Sequence, residues 1–382
     1  SKYGFDFDIS RDALLCVDLN LINNNKNSIV NDGDFIFCDT SEDIEGSGNY
    51  VYIRKSDAQK IFAGSHTIIA RPVINLSSRY FAYLFATDAW RAQIRSVVYG
   101  VKVFSITQSI LKATKAIIPP IKEQIHIVYY LDNKCAQIDS IIDAKEKTNE
   151  KLKEYRQSII YEAVTKGLNK NAPMKDSGVE WIGVIPEGWE IKKLKYISDI
   201  NKNRLSESTD PEFQFNYIDI SSIIETGIIS DTQVMEFSMS PSRARMIVDN
   251  GDIIVSTVRT YLKAIAQIKK DNKYICSTGF CIISPKNIIK EYVYYLCISE
   301  YFIQKIVSKS VGVSYPAISS SEISNIKAII PPINEQQQIV DHLDAKCSQI
   351  DSVISANEKT IEKLKEYRQS IIYEAVTGKI EI

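Results

Sequence analysis

From Ile121 onward the chain sets apolar residues at steps of mostly three and four: Ile127, Leu131, Cys135, Ile138, Ile142, Leu152, Tyr155, Ile159 and Ala163. The positions between them are largely charged or polar, so the pattern predicts one narrow seam along a long amphipathic helix. It returns at Ile339, Leu343, Cys347, Ile350, Ile354, Ile361, Leu364, Tyr367, Ile371 and Ala375. Both stretches open with A-I-I-P-P-I, a short β-prone run ending at two prolines, which a helix tolerates at its start but not inside. Glu123 and Glu335 then fall in the first turn, where a carboxylate suits the helix dipole. No proline or glycine follows for about 44 residues, enough for a helix of roughly 65 Å. Thr165-Lys166-Gly167 and Thr377-Gly378 provide glycine ends.

The two stretches are copies of one another. Lys115–Thr165 aligns without a gap on Lys327–Thr377 at a constant offset of 212, with about 40 of roughly 50 positions identical. Lys145 and Asn149 interrupt one seam, Asn357 and Ile361 occupy the same places in the other, and polar seam residues fix register at some cost in stability. The obvious partner for each helix is the other copy, most simply antiparallel with pseudo-twofold symmetry. A homodimeric coiled coil is the alternative.

The duplication extends upstream. R-Y-F-A-Y-L-F-A-T-D-A-W-R-A-Q-I matches E-Y-V-Y-Y-L-C-I-S-E-Y-F-I-Q-K-I, an amphipathic helix in both, and Gly100 falls on Gly312. V-N-D-G-D-F-I-F-C-D parallels V-D-N-G-D-I-I-V-S-T, a positive-φ turn followed by a strand. C-V-D-L-N-L-I likewise parallels Y-I-D-I-S-S-I. The expected fold is α+β: two mixed α/β domains (1–114 and 169–326), each followed by a long helical segment (115–168 and 327–382). The domains have diverged while the helices have hardly changed. Two different domains on one shared spacer suggest two different things read at a fixed distance.

Charge sharpens that reading. The formal net charge is only −1, yet Ser1–Tyr50 holds ten acids against three bases, and Arg54–Lys115 ten bases against two acids. The second half repeats this, acid-rich over Lys202–Glu236 and basic over Arg243–Lys290. A local basic patch, rather than overall charge, governs phosphate binding. Solvated surface charge accounts for the same counts.

The seven cysteines include no C-x-x-C pair, which points to a reduced cytoplasmic chain with Cys135 and Cys347 as small buried thiols. The three histidines lie far apart, a poor ligand supply for zinc. No apolar run approaches the ~18 residues of a membrane span, and the start lacks a signal-peptide pattern. No membrane association is expected.

At this point the chain resembles the specificity (S) subunit of Type I restriction–modification systems. Ser177–Ile197 (S-G-V-E-W-I-G-V-I-P-E-G-W-E-I-K-K-L-K-Y-I) looks like the opening of a target-recognition domain in that family. G-D-I-I-V-S-T-V-R-T-Y-L-K-A-I-A looks like its strand and DNA-facing loop. I-I-P-P-I-N-E-Q-Q-Q-I-V-D-H-L-D with I-E-K-L-K-E-Y-R-Q-S-I-I-Y-E-A-V-T-G-K-I looks like its helical spacer and ending. The resemblance implies two target-recognition domains, each reading half of a bipartite site in double-stranded DNA. The antiparallel helices would act as a ruler and dock two modification subunits. Those partners would methylate adenine with S-adenosylmethionine, and restriction subunits would add ATP- and Mg-dependent translocation and cleavage. No cofactor belongs to this chain itself. Only 17 residues precede Asp18, against about 40 between Trp181 and its counterpart Asp219. The first recognition domain is therefore expected to lack a W-I-G-x-I-P-x-G-W opening.

Other classes fit less well. A methyltransferase needs N/D-P-P-Y/F and a glycine-rich cofactor loop, and a translocase needs G-x-x-x-x-G-K-[ST]; none occurs. Asp6 and Asp8 read better as alternation in an edge strand than as paired metal ligands. A coiled-coil adaptor that binds proteins only remains the alternative, separable by salt-dependent DNA binding. Under the resemblance, the DNA-facing candidates in the second domain are Thr257, Arg259, Tyr261 and Lys263, with Arg243 and Arg245 upstream and Ser314 and Tyr315 in a turn. In the first domain they are Arg54, Lys55, Lys60, Arg71 and Lys102. Arginine binds guanine bidentately or holds phosphate. Arg243 and Arg245 could instead only solvate a helix.

Overall fold

The computed structural model describes residues 5–7, 18, 26–54, 61–72, 76–100, 102–230, 232–269 and 273–382. The chain divides into two compact units, 1–148 with 356–382, and 149–355.

Helix α1 (Ser78–Phe85), α2 (Asp88–Arg95) and α3 (Gln108–Ala113) precede the first long helix, α4 (Ile121–Lys166). In the second half α5 (Lys290–Ile298), α6 (Glu300–Lys309) and α7 (Ser320–Ser324) precede the second, α8 (Ile333–Val376). Both long helices begin directly after the proline pairs, and left-handed glycines follow their last turns, Gly167 at φ 74° and Gly378 at φ 69°.

The single helix expected upstream is broken in each copy. Thr87 donates to the Leu84 carbonyl at 2.7 Å and caps α2 by accepting from the Trp90 amide. Ser299, its counterpart, donates to the Leu296 carbonyl at 2.6 Å. In both copies a short hydroxyl side chain that binds backbone marks the end of one helix, and in the first copy it also caps the next.

In the first unit a three-stranded antiparallel sheet carries Phe35–Cys38 between Tyr50–Tyr52 and Thr67–Ala70. Asp6 forms an edge bridge to Tyr52 and pairs with Arg79, while Asp8 lies outside the described residues. The sheet packs on α1, α2 and the buried face of α4 through Phe37, Tyr80, Tyr83, Trp90, Ile94 and Leu131. The portions of α4 and α8 in this unit run antiparallel: Arg368 Nε lies 3.1 Å from Asp139, and Lys145 donates to Asn357 at 2.9 Å.

The second unit has two four-stranded sheets. One orders Ser198–Ile200, Phe280–Pro285, Ile253–Ser256 and Ile265–Gln267, all antiparallel. The other orders Gln233–Glu236, Gln214–Ile218, Tyr274–Ser277 and Ala244–Val248, its central pair parallel. Ile160, Ala163 and Val164 of α4 share a core with Ile339, Leu343 and Cys347 of α8. Arg156 Nε lies 3.6 Å from Asp351.

These contacts repeat at the 212-residue offset. Tyr80 Oη lies 3.1 Å from the Ile117 and Val376 carbonyls, and Tyr292 Oη lies 2.9 and 3.5 Å from those of Ile329 and Val164. Gln124 accepts from the Ser77 amide and donates to the Pro119 carbonyl, as Gln336 does with Ile289 and Pro331. Tyr83 donates to Asp132 as Tyr295 does to Asp344. A long helix without glycine or proline, fastened near its start by its own first-turn glutamine and by a tyrosine of the preceding domain, is therefore built twice.

Two seam assignments need correcting. Tyr155 and Tyr367 are more than half exposed, at 54% and 52%. Arg156 and Arg368 are mostly buried instead, their side chains 22% and 17% exposed. An arginine packs its methylene stem against apolar neighbours while its head meets a carboxylate on the facing helix. Cys135 and Cys347 are buried in the seam as expected.

Candidate nucleic-acid interface

Both units carry the same loop frame. Asp34 and Asp252, each buried, accept from the Asn31 and Asp249 amides at 2.8 and 2.9 Å. Each caps a turn whose glycine, Gly33 or Gly251, is left-handed. A strand follows, then a loop that pairs with the glycine turn near residue 100 or 312. Thr40 pairs with Ser105 and Val258 with Ala317, and the Ile106 and Ile318 amides donate to the Asp39 and Thr257 carbonyls at 2.7 and 2.8 Å.

On this frame the second unit sets a cationic, hydroxyl-bearing loop. Thr257 is fastened to the Gly279 carbonyl by its hydroxyl and its amide, both at 2.8 Å. Arg259 and Lys263 both have φ 51° and bracket the single turn Thr260–Leu262. Two non-glycine left-handed residues so close together hold backbone strain, which collects at ligand-facing sites. Thr260 is buried, with its hydroxyl 2.8 Å from that of Ser310, so the loop and the turn are locked together. The Arg259 guanidinium lies 4.9 Å over the exposed Tyr315 ring. Tyr261 and Ser314 are exposed, and Lys263 reaches Glu300 at 3.4 Å. The surface offers an arginine set over an aromatic face, two tyrosine hydroxyls, a serine and a lysine. Such groups bind phosphate oxygens and base edges.

Arg243 is exposed and donates to Asp219 at 2.7 Å. Arg245 is buried on the strand Ala244–Val248, its guanidinium 4.7 Å over Phe237. Neither solvates a helix.

The first unit reverses the chemistry. Its loop carries Glu42, Asp43 and Glu45 where the second carries Thr260, Tyr261 and Lys263, and its turn presents the exposed Lys102 where the second has Ser314. Arg95 reaches Glu45 at 3.0 Å and Asp88 at 3.4 Å, and Arg91 donates to the Glu45 carbonyl at 2.9 Å. These two arginines hold the acidic loop, and their position inside an amphipathic helix pattern gives no local sign of it. Arg71 binds buried Asp34 at 2.8 Å and the Ile29 carbonyl at 2.8 Å, so its guanidinium is committed to the frame. Arg54 is exposed, while Lys55 and Lys60 lie outside the described residues.

Comparison with known proteins places these features in context. The family described as Type I restriction modification DNA specificity domain matches residues 17–154 and 186–366. The Type I restriction enzyme MjaVIII specificity subunit of Methanocaldococcus jannaschii is 25% identical over 342 residues, covering 86% of this chain and 77% of that protein. The EcoKI specificity subunit of Escherichia coli K12 is 21% identical over 334 residues, covering 83% and 68%. A chain from a solved structure concerned with complex assembly and conformational transition of the type I R-M system aligns with a TM-score of 0.69. Its identity is 16%, and the alignment covers 91% of this chain and 82% of that one, a likeness of fold.

Proposed function

This chain belongs to the Type I restriction modification DNA specificity family, and on that premise we propose that it is the DNA sequence-recognition subunit of a Type I restriction–modification complex. Each domain reads one half of a bipartite site, and the paired helices set the unread spacer between the halves. One observation carries the reading. A single loop frame, fixed by matching hydrogen bonds at Asp34 and Asp252, presents opposite chemistry in the two domains: Glu42, Asp43 and Glu45 against Tyr261 and Lys263. Identical frames with different loops suit two half-sites of different sequence.

The chain supplies recognition and its partners supply the reaction. Two modification subunits dock on the helices and carry S-adenosylmethionine; restriction subunits carry ATP and Mg. Two equivalent docking positions are supported by exposed apolar side chains that recur at the repeat offset. Ile141 and Val353 are each 47% exposed, and Tyr155 and Tyr367 are 54% and 52% exposed.

The test is to titrate the modification subunit against the purified chain and assay adenine methylation on DNA. Methylation should appear only in the mixture, saturating at two modification subunits per chain, and DNA affinity should fall steeply with salt. Methyl transfer by the chain alone, or full activity at one to one, contradicts the proposal.

A further inference from the structure

The repeat exposes one place where the two units differ in what covers them. In the second unit Lys327–Ile330 is a strand paired antiparallel with Glu190–Lys193, Ile191 opposite Ile329 and Lys192 opposite Ala328. Trp189, directly before that covering strand, is 1% exposed, and its indole N–H donates to Glu335 at 2.9 Å. Ala328 and Ile329 are accordingly buried. The counterpart segment Lys115–Ile118 has the same sequence, K-A-I-I, and has no strand partner among the described residues. Ile117 and Ile118 are 51% and 56% exposed. Lys115 is held by the Gln93 side-chain amide, which accepts from its N–H at 2.8 Å and donates to its carbonyl at 3.0 Å, and the Ile117 carbonyl accepts from Tyr80 at 3.1 Å, as the Ile329 carbonyl does from Tyr292 in the paired strand.

The apolar surface continues from this edge. Ile121, Ile125 and Tyr129 occupy one face of α4 at four-residue spacing and are exposed. The last two replace Gln337 and Asp341 of the second unit, so the first unit is the more apolar where it is uncovered. Glu123, counterpart of the indole acceptor Glu335, is exposed as well. An unpaired edge beside an apolar stripe is a surface that takes a strand.

We infer that Ala116–Ile118 is a strand-docking edge whose occupant is an extended, tryptophan-led peptide segment of the Trp189–Lys193 type, its indole N–H donating to Glu123. The second unit supplies both the register and the acceptor by analogy of position. This inference stands apart from DNA recognition, since it concerns the base of α4 rather than the loops.

The probe is a fluorescently labelled peptide, Val184–Ile197 of this sequence, titrated against the full chain by anisotropy. Saturable one-to-one binding is expected. It should weaken at least about tenfold, roughly 1.4 kcal/mol, when the peptide carries Ala for Trp189 or when the chain carries Glu123→Ala, and be lost with Ile117→Asp. Glu335→Ala should leave it unchanged. Glu123 is a surface side chain, so its variant remains informative should Ile117→Asp fail to fold. No binding, binding that survives Glu123→Ala, or loss with Glu335→Ala instead would overturn the inference. So would a dimer of the chain that Ile117→Asp dissociates, which would make the face a self-contact.

Discussion

The ammonium of Lys145 donates to the side-chain oxygen of Asn357 at 2.9 Å, and these two residues are counterparts in the repeat, 212 positions apart. Equivalent positions of two antiparallel copies meet only midway along the pair, so this contact marks the midpoint of the helical repeat. A symmetric duplication would have placed two lysines or two asparagines here. The sequence places one of each, and the pair bonds.

Asn357→Lys should therefore destabilise the chain by about 1 kcal/mol by replacing a hydrogen bond with like charges. Thermal unfolding measures this, and added salt should recover part of the loss by screening the two ammonium groups. A variant as stable as the parent at low salt contradicts the contact.

Asp139 lies 3.1 Å from Arg368, yet burial raises its carboxyl above the ordinary value more than the arginine lowers it. A raised acid binds its proton more tightly folded than unfolded, so its ionisation costs stability as pH rises through the carboxylate range. Asp139→Asn removes that cost. Its melting temperature relative to the parent should climb from about pH 3 to about pH 6, and a decline over that range contradicts the assignment.

Gly312 has φ 118°, and a Cβ there would sit 3.0 Å from the Tyr315 carbonyl oxygen. Gly312→Ala should distort the turn that carries Ser314 and Tyr315 while the paired helices stay folded. DNA affinity should fall at unchanged helical circular dichroism. Parental affinity would remove the turn from the interface.

Arg259→Ala should cost about 1–3 kcal/mol of binding if the guanidinium reads a base, relaxing one position of the site. A phosphate contact would instead weaken all sequences alike and reduce the salt slope by about one. Parental affinity and specificity would remove this loop from the interface.

The helices were legible because their information is local and periodic. Proline pairs, first-turn glutamates and closing glycines fix their ends, and the repeat makes each copy a check on the other. Tyr155 and Tyr367 were misplaced because three- and four-residue steps admit either neighbour, and only the facing Asp139 and Asp351 select Arg156 and Arg368. The break at Thr87 was invisible because a threonine inside an amphipathic stretch reads as helix until its hydroxyl finds Leu84. The cationic, hydroxyl-rich composition of Thr257–Lys263 is legible, but the form of that loop depends on Thr260 meeting Ser310 across 50 residues, which no local pattern encodes. Arg71 and Arg245 drew attention by charge alone. Asp34 and Phe237 hold them in the frame.

The most direct test of the central claim is to map methylated adenines in cells carrying this chain and its modification partner, with and without four residues inserted after Ala356. That insertion adds about one turn to α8. The parent should methylate one bipartite site, and the insertion variant the same two half-sites at a changed spacing. A folded, active variant that methylates at the parental spacing would contradict the account.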